Sequence, residues 1–201
     1  MSDGRIVWIG NEVPAWVAEV LKGGRRFDPV SWIDARMPTA HLITGLPCSG
    51  KTTYATSLAK TSGGVLFSLD YWLITLHGRY SLHETGYGEH VRRVLACRQV
   101  ISDVARELLG RGVDVVLDDG FFFREHRVRQ IGLFQSGGAR VVTHVVRAAP
   151  ELLRARIERR NQNLPAHNLE IRGEMMERFV ELWEEPSADE GAEVVVRISG
   201  V

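Results

Sequence analysis

Gly45-Leu46-Pro47-Cys48-Ser49-Gly50-Lys51-Thr52 places two glycines, a lysine and a threonine at the spacing G-x-x-x-x-G-K-[ST]. Each residue type has a task at that spacing. The glycines let the backbone curl so that successive N–H groups converge on phosphate oxygens. Lys51 reaches the terminal phosphates, and the Thr52 hydroxyl, followed by Thr53, suits a Mg²⁺ shell. A β-branched run, His41 to Thr44, precedes the loop, and a helical pattern from Lys51 to Lys60 follows it, so the positive end of a helix adds to the cradle. The motif predicts binding of a nucleoside triphosphate with Mg²⁺. No guanine-reading N-K-x-D sequence is present.

Carboxylates mark the other half of the chemistry. Asp70 falls where the run Val65 to Ser68 hands over to a helix, at the strand end where open α/β sheets bind ligands. It suits a base for an acceptor hydroxyl, although an aspartate there also suits a helix N-cap. Asp118 and Asp119 end the run Val115-Val116-Leu117. Successive strand residues point to opposite faces, so the two should do different jobs.

These stretches resemble the P-loop phosphotransferases related to polynucleotide kinase, chloramphenicol phosphotransferase and zeta toxin. The resemblance rests on Thr44 to Ala55, on Ser68-Leu69-Asp70-Tyr71-Trp72, on Val115 to Phe121, on Leu153 to Pro165 and on Phe179 to Pro186, and so covers residues 40–200. It implies that Lys51 and Asp70 are catalytic and that Asp118 joins Thr52 at Mg²⁺, with Asp119 near the acceptor. It also implies a lid arginine among Arg154, Arg156, Arg159 and Arg160, of which Arg156 and Arg160 share a helix face. Arg124 and Arg127 fall where related kinases place an acceptor-binding arginine. Asp118-Asp119-Gly120-Phe121 departs from the D-x-T-N of polynucleotide kinases and looks more like chloramphenicol phosphotransferase.

Positioning these groups requires βα units around a parallel sheet. The expected strands are 41–44, 65–68, 113–117, 141–146 and 194–198. A long helix carries Val91, Val94, Leu95, Ile101, Val104, Ala105, Leu108 and Leu109 on one face and ends at Gly110 and Gly112. Helices are also expected over 151–161 and 169–184, the second stopped by Pro186. The expected architecture is an α/β P-loop NTPase three-layer sandwich with a mainly parallel five-stranded sheet over residues 39–201. Residues 1–38 read as a small N-terminal extension packed on that core. Segment Leu76 to Gly88 reads as an acceptor-covering loop. Tyr71, Trp72, Tyr80, Tyr87 and Phe121 to Phe123 either line an acceptor pocket or belong to the core.

Composition narrows the partners. The 201 residues are 44% hydrophobic and 25% charged, enough apolar content for a full core. Lys+Arg and Asp+Glu both total 25, so no net field draws nucleic acid or anionic membrane. Two cysteines, Cys48 and Cys97, are too few for a disulfide framework, and the histidines lack zinc-ligand spacing. With no apolar run long enough to span a bilayer, a cytoplasmic protein is expected. The combined expectation is an ATP- and Mg²⁺-dependent phosphotransferase acting on a hydroxyl of a small molecule such as an antibiotic or metabolite, with Asp70 as base. The alternatives are a 5′-hydroxyl polynucleotide kinase and a nucleotide-dependent switch or ATPase without an acceptor.

Overall fold

The computed structural model describes residues 37–164, 171 and 173–200. The proposed extension at 1–38 lies outside them except for its last two residues, as does the segment 165–170. In chain order the elements are β1 (Thr39–Thr44), α1 (Lys51–Ser62), β2 (Val65–Ser68), α2 (Leu69–His77), α3 (Leu82–Thr85), α4 (Tyr87–Gly110) and β3 (Val115–Gly120). Then come α5 (Arg124–Ser136), β4 (Arg140–Arg147), α6 (Pro150–Gln162), α7 (Gly173–Glu181), a 3₁₀ turn (Ala188–Glu190) and β5 (Glu193–Ile198).

The five described strands form one sheet in the order β2-β3-β1-β4-β5, and every pairing is parallel. This is an α/β P-loop kinase-like fold. A parallel sheet covered on both faces requires strands apolar on both sides. Accordingly Ala40, Leu42, Ile43, Val115, Val116 and Val145 are wholly buried. All carboxyl ends of the strands lie at one edge, where the loop after β1, the start of α2 behind β2 and the end of β3 carry the phosphate loop, Asp70 and the Asp118–Asp119 pair. No described helix is long and apolar enough to cross a membrane.

Three sequence expectations shift. The third strand starts at Val115 and runs on through Asp118, Asp119 and Gly120, so both aspartates are strand residues. The buried row of α4 is Cys97, Ile101, Ala105 and Leu109, whereas Leu95 and Val104 are exposed. A 24-residue helix between a sheet and solvent needs only one i, i+4 row inward, and the remaining apolar residues flank it. Finally, the expected loop at 76–88 is largely helical: α2 runs to His77, α3 covers Leu82–Thr85 and α4 begins at Tyr87.

Candidate active site

The loop after β1 is fixed to the end of β3. Thr44 Oγ1 donates to the carbonyls of Gly120 at 2.7 Å and Phe121 at 3.2 Å. Gly45 takes φ 145°, and a Cβ on it would stand 2.4 Å from the Val146 carbonyl oxygen, so a side chain cannot fit between the loop and β4. Cys48 adopts a left-handed φ of 61°, and Ser49 N–H closes a turn on Leu46 O at 3.2 Å. Gly50, at φ 101°, caps α1 with no side-chain hydrogen bond, and the first turn of α1 holds no acidic residue. The helix therefore presents its amides and positive end without any internal anion. Ser49 Oγ is buried with no partner among the described residues. A cradle closed to side chains, with bare amides and an orphaned hydroxyl, fits a polyphosphate.

Lys51 Nζ donates to Leu46 O at 2.8 Å. Burial pulls its pKa down, while the charges of Asp118 and Asp70 hold it up. Thr52 Oγ1 donates to Asp118 Oδ2 at 2.6 Å. Asp118 is only 7% exposed, and burial raises its carboxyl pKa against the opposing effects of Thr52 and Lys51. A hydroxyl and a carboxylate side by side below a phosphate cradle are the hard oxygen donors that Mg²⁺ takes together with water and phosphate oxygens.

Asp70 is the second residue of α2 rather than its cap. Ser68 caps that helix, its Oγ accepting from Tyr71 N at 3.5 Å. Asp70 is exposed and lines the same cleft as Lys51, Thr52 and Asp118. Its charge acts on Lys51, Asp118, Tyr80 and His90. The cleft has a volume of about 1530 Å³, ample for a nucleotide and a second small molecule.

Asp119 points away from Asp118, as strand alternation requires. It accepts from Arg98 of α4, from Nε at 2.8 Å and from Nη2. From α6, Arg156 Nη1 donates to Cys48 O at 3.3 Å and Ser199 Oγ at 2.9 Å, and Arg160 Nη1 lies 3.6 Å from Cys48 Sγ. Both guanidiniums therefore stand over the phosphate loop, whereas Arg154 is exposed and does not line the cleft.

Arg124 and Arg127 are engaged away from the cleft. Arg127 is wholly buried and forks onto Glu190, with both nitrogen–oxygen distances 2.7 Å, while Nη1 donates to Phe121 O and Phe122 O. Arg124 pairs with Asp189 at 2.9 Å and donates to Ser187. The carboxylates of the 3₁₀ turn claim both arginines, and neither lines the cleft. Arg127 instead braces Phe121, which sits at a positive φ of 44° and stacks on His126 with ring centroids 4.9 Å apart.

The aromatic residues divide. Phe121 is core, and Trp72 packs against the core beside Phe67. Tyr80 bonds His90 at 2.9 Å beneath the Arg93 guanidinium. Tyr87, Phe122 and Phe123 line the cleft, and Phe122 packs on Phe179 and Trp183. Sequence reasoning missed Arg98, His126, Gln130 and Arg197, all on the cleft wall. Arg98 and Ser102 fall one turn apart beside the buried row of α4, so polar residues flanking an apolar stripe were the available signal.

The AAA domain family matches residues 41–182. No curated protein matches the sequence. Among solved structures, a provisionally assigned kinase from Chloroflexus aurantiacus is similar with TM-score 0.65 and 18% identity, over 82% of this chain and 89% of that one. Kti12 from Chaetomium thermophilum, in complex with ADP-AlF3, gives TM-score 0.60 and 19% identity over 81% and 90% of the two chains. A sugar kinase from Janibacter gives 0.55 and 14% over 80% and 85%.

Proposed function

The chain belongs to the AAA domain family, and from that premise we propose that it is an ATP- and Mg²⁺-dependent kinase acting on a hydroxyl group of a small molecule. The observation that carries the reading is one cleft lined by a phosphate cradle, a Thr52–Asp118 donor pair and a separate exposed carboxylate, Asp70. A switch or simple ATPase has no need of that last group. The loop amides and Lys51 hold the terminal phosphates of the donor. Mg²⁺ held through Thr52 and Asp118 neutralises phosphate charge when bound. Asp70 orients the acceptor hydroxyl and takes its proton as the new O–P bond forms and the bond to the departing ADP breaks. Arg156 and Arg160, standing over the loop, offset charge on the transferring group. An ATP donor accords with a cytoplasmic setting.

Asp70→Asn tests the assignment. General-base contributions are about 10²–10⁴-fold, and acceptor turnover should fall by that order. Because Ser68 supplies the cap, melting temperature should change little. Binding of a fluorescent ATP analogue should persist, since the cradle is untouched, whereas Lys51→Ala should abolish transfer. Near-normal turnover in Asp70→Asn would remove the base from the mechanism.

A further inference from the structure

On the face of β3 opposite the Thr52–Asp118 pair, the cleft wall is built from α4 and α5. Arg98 and Asp119 meet there as a forked ion pair with side chains 23% and 11% exposed. Nε and Nη2 of Arg98 are spent on the carboxylate, and no hydrogen bond engages Nη1 among the described residues. Gln130, 6% exposed, is oriented by Ser102 Oγ, which donates to its Oε1 at 3.1 Å. In this orientation Nε2 is the end left over, and it has no partner among the described residues. His126, one turn before Gln130, has a buried Nδ1 that is likewise unpartnered, and burial lowers its pKa to about 4, so it is neutral at pH 7. Arg98, Ser102, Asp119 and Gln130 also surround a small adjoining cavity of about 10 Å³, close to the space one water needs.

Buried polar atoms without partners are costly, so a donor such as Gln130 Nε2 calls for a ligand or a bridging water. The charge pattern decides which ligand. An anion would have to compete with Asp119 for Arg98; of the cleft's other charges, Glu125 and Arg129 on α5 are of opposite sign, and Lys51, Arg156 and Arg160 belong to the phosphate loop and the helix over it. A cation would have to compete with Arg98 for Asp119. An uncharged group with lone pairs and an O–H or N–H can take Arg98 Nη1 and Gln130 Nε2 as donors and Asp119 as acceptor, leaving the ion pair intact. Next to this polar wall, Val91, Val94, Leu95, Phe122 and Phe123 supply apolar surface.

Resting on the kinase reading above, we propose that Arg98, Asp119 and Gln130 form a specificity subsite for a neutral hydroxyl or amide group of the acceptor. The acceptor is thus an uncharged molecule with an apolar part, a reactive hydroxyl at Asp70 and a second neutral polar group on this wall. A 5′-hydroxyl nucleic acid, which carries phosphate, is the wrong charge for it.

The test uses the full chain with Mg²⁺-ATP and matched acceptors: phenyl β-D-glucoside against phenyl β-D-glucuronide, adenosine against adenosine 3′-monophosphate, and N-acetylglucosamine against gluconate. ADP release above the acceptor-free rate gives kcat/KM for each. The expected result is transfer to at least one neutral compound, at least tenfold above its anionic counterpart. Asp119→Asn frees the Arg98 charge and should move that ratio toward the anion by about tenfold or more, mainly through KM. If the pair merely ties α4 to β3, Asp119→Asn will lower melting temperature and slow all acceptors alike, with the ratio unmoved. That outcome overturns the proposal. So does preference of the native protein for the anionic members, or transfer to none of the neutral ones while a fluorescent ATP analogue still binds with Mg²⁺. Failure of that analogue to bind would instead remove the kinase reading, and the subsite with it.

Discussion

Arg127→Met separates a structural brace from an acceptor clamp. The guanidinium has no exposure, forks onto Glu190 and bonds two backbone carbonyls at 2.9 and 3.1 Å. Methionine fills much of the volume but removes the charge, leaving the Glu190 carboxylate, 2% exposed in its side chain, without its hydrogen-bonded fork and with only the longer 3.6 Å contact to Arg124 Nη1. Breaking a buried pair from one side costs about 3–5 kcal/mol. For a domain of this size each kcal/mol moves the midpoint by about 2–4 °C, so melting should fall by roughly 6–20 °C. Replacing both partners, Arg127→Met with Glu190→Leu, should recover much of the loss, since the buried carboxylate goes too. Thermal and urea denaturation give the stabilities, and acceptor KM, measured below the lowered transition, gives the function. A drop under 2 °C together with a raised acceptor KM would refute the brace and restore Arg127 to the acceptor side.

Gly45→Ala should destabilise the fold by about 1–3 kcal/mol or more and weaken nucleotide binding, because its Cβ meets a backbone oxygen of β4 at 2.4 Å; an unchanged melting curve would contradict this. Asp118→Asn should shift the Mg²⁺ titration of turnover to higher concentration, because it removes a charged donor beside Thr52; an unmoved titration would place the metal elsewhere. Acid should destabilise the protein before its carboxylates titrate. Burial holds His126 and His144 at about 4 in the fold, below the 6.5 of the unfolded chain, so unfolding takes up protons between these values. Their stabilisation is full above pH 6.5 and is lost as pH falls toward 4, on the order of 1–2 kcal/mol each by pH 5. Melting temperatures flat from pH 7 to 5 would show that these rings are not held neutral.

The phosphate cradle was legible because it is local. Its eight residues, the strand before and the helix after are contiguous, and backbone curvature rather than distant packing makes the site. The opposite orientations of Asp118 and Asp119 were legible too, from strand alternation alone. Helix α5 was not foreseen. Its buried row is Arg127, Gln130, Ile131 and Phe134, and two polar residues in that row hide the apolar period. The same helix explains the misplaced arginines. Arg124 and Arg127 sit beside the acceptor region in sequence, but their partners Asp189 and Glu190 lie more than sixty residues downstream, and no local pattern reveals such a pairing. Arg98 escaped notice for a related reason: its partner comes from another element, so within α4 it reads as one more surface charge.

Adjacent aspartates at the end of β3 have a consequence for how such a site can change. Asp118 turns toward Thr52 and Lys51 of α1, and Asp119 turns toward Arg98 of α4. In the proposed function, phosphate chemistry and acceptor recognition therefore meet on one strand but are supported by different helices. The carboxylate Asp70 enters from a third element, α2, and faces Lys51 and Asp118 electrostatically. On that reading, substitutions in α4 and α5 reshape this wall of the cleft while α1, the glycine loop and β1 keep the donor in place. The constraint runs through β3 itself. Gly120, at φ 92°, accepts from Thr44, and an added Cβ would press on the Phe122 ring at 3.0 Å. A side chain at that glycine would disturb both the loop anchor and the acceptor wall, so Gly120 is the point where the two halves of the cleft cannot vary independently.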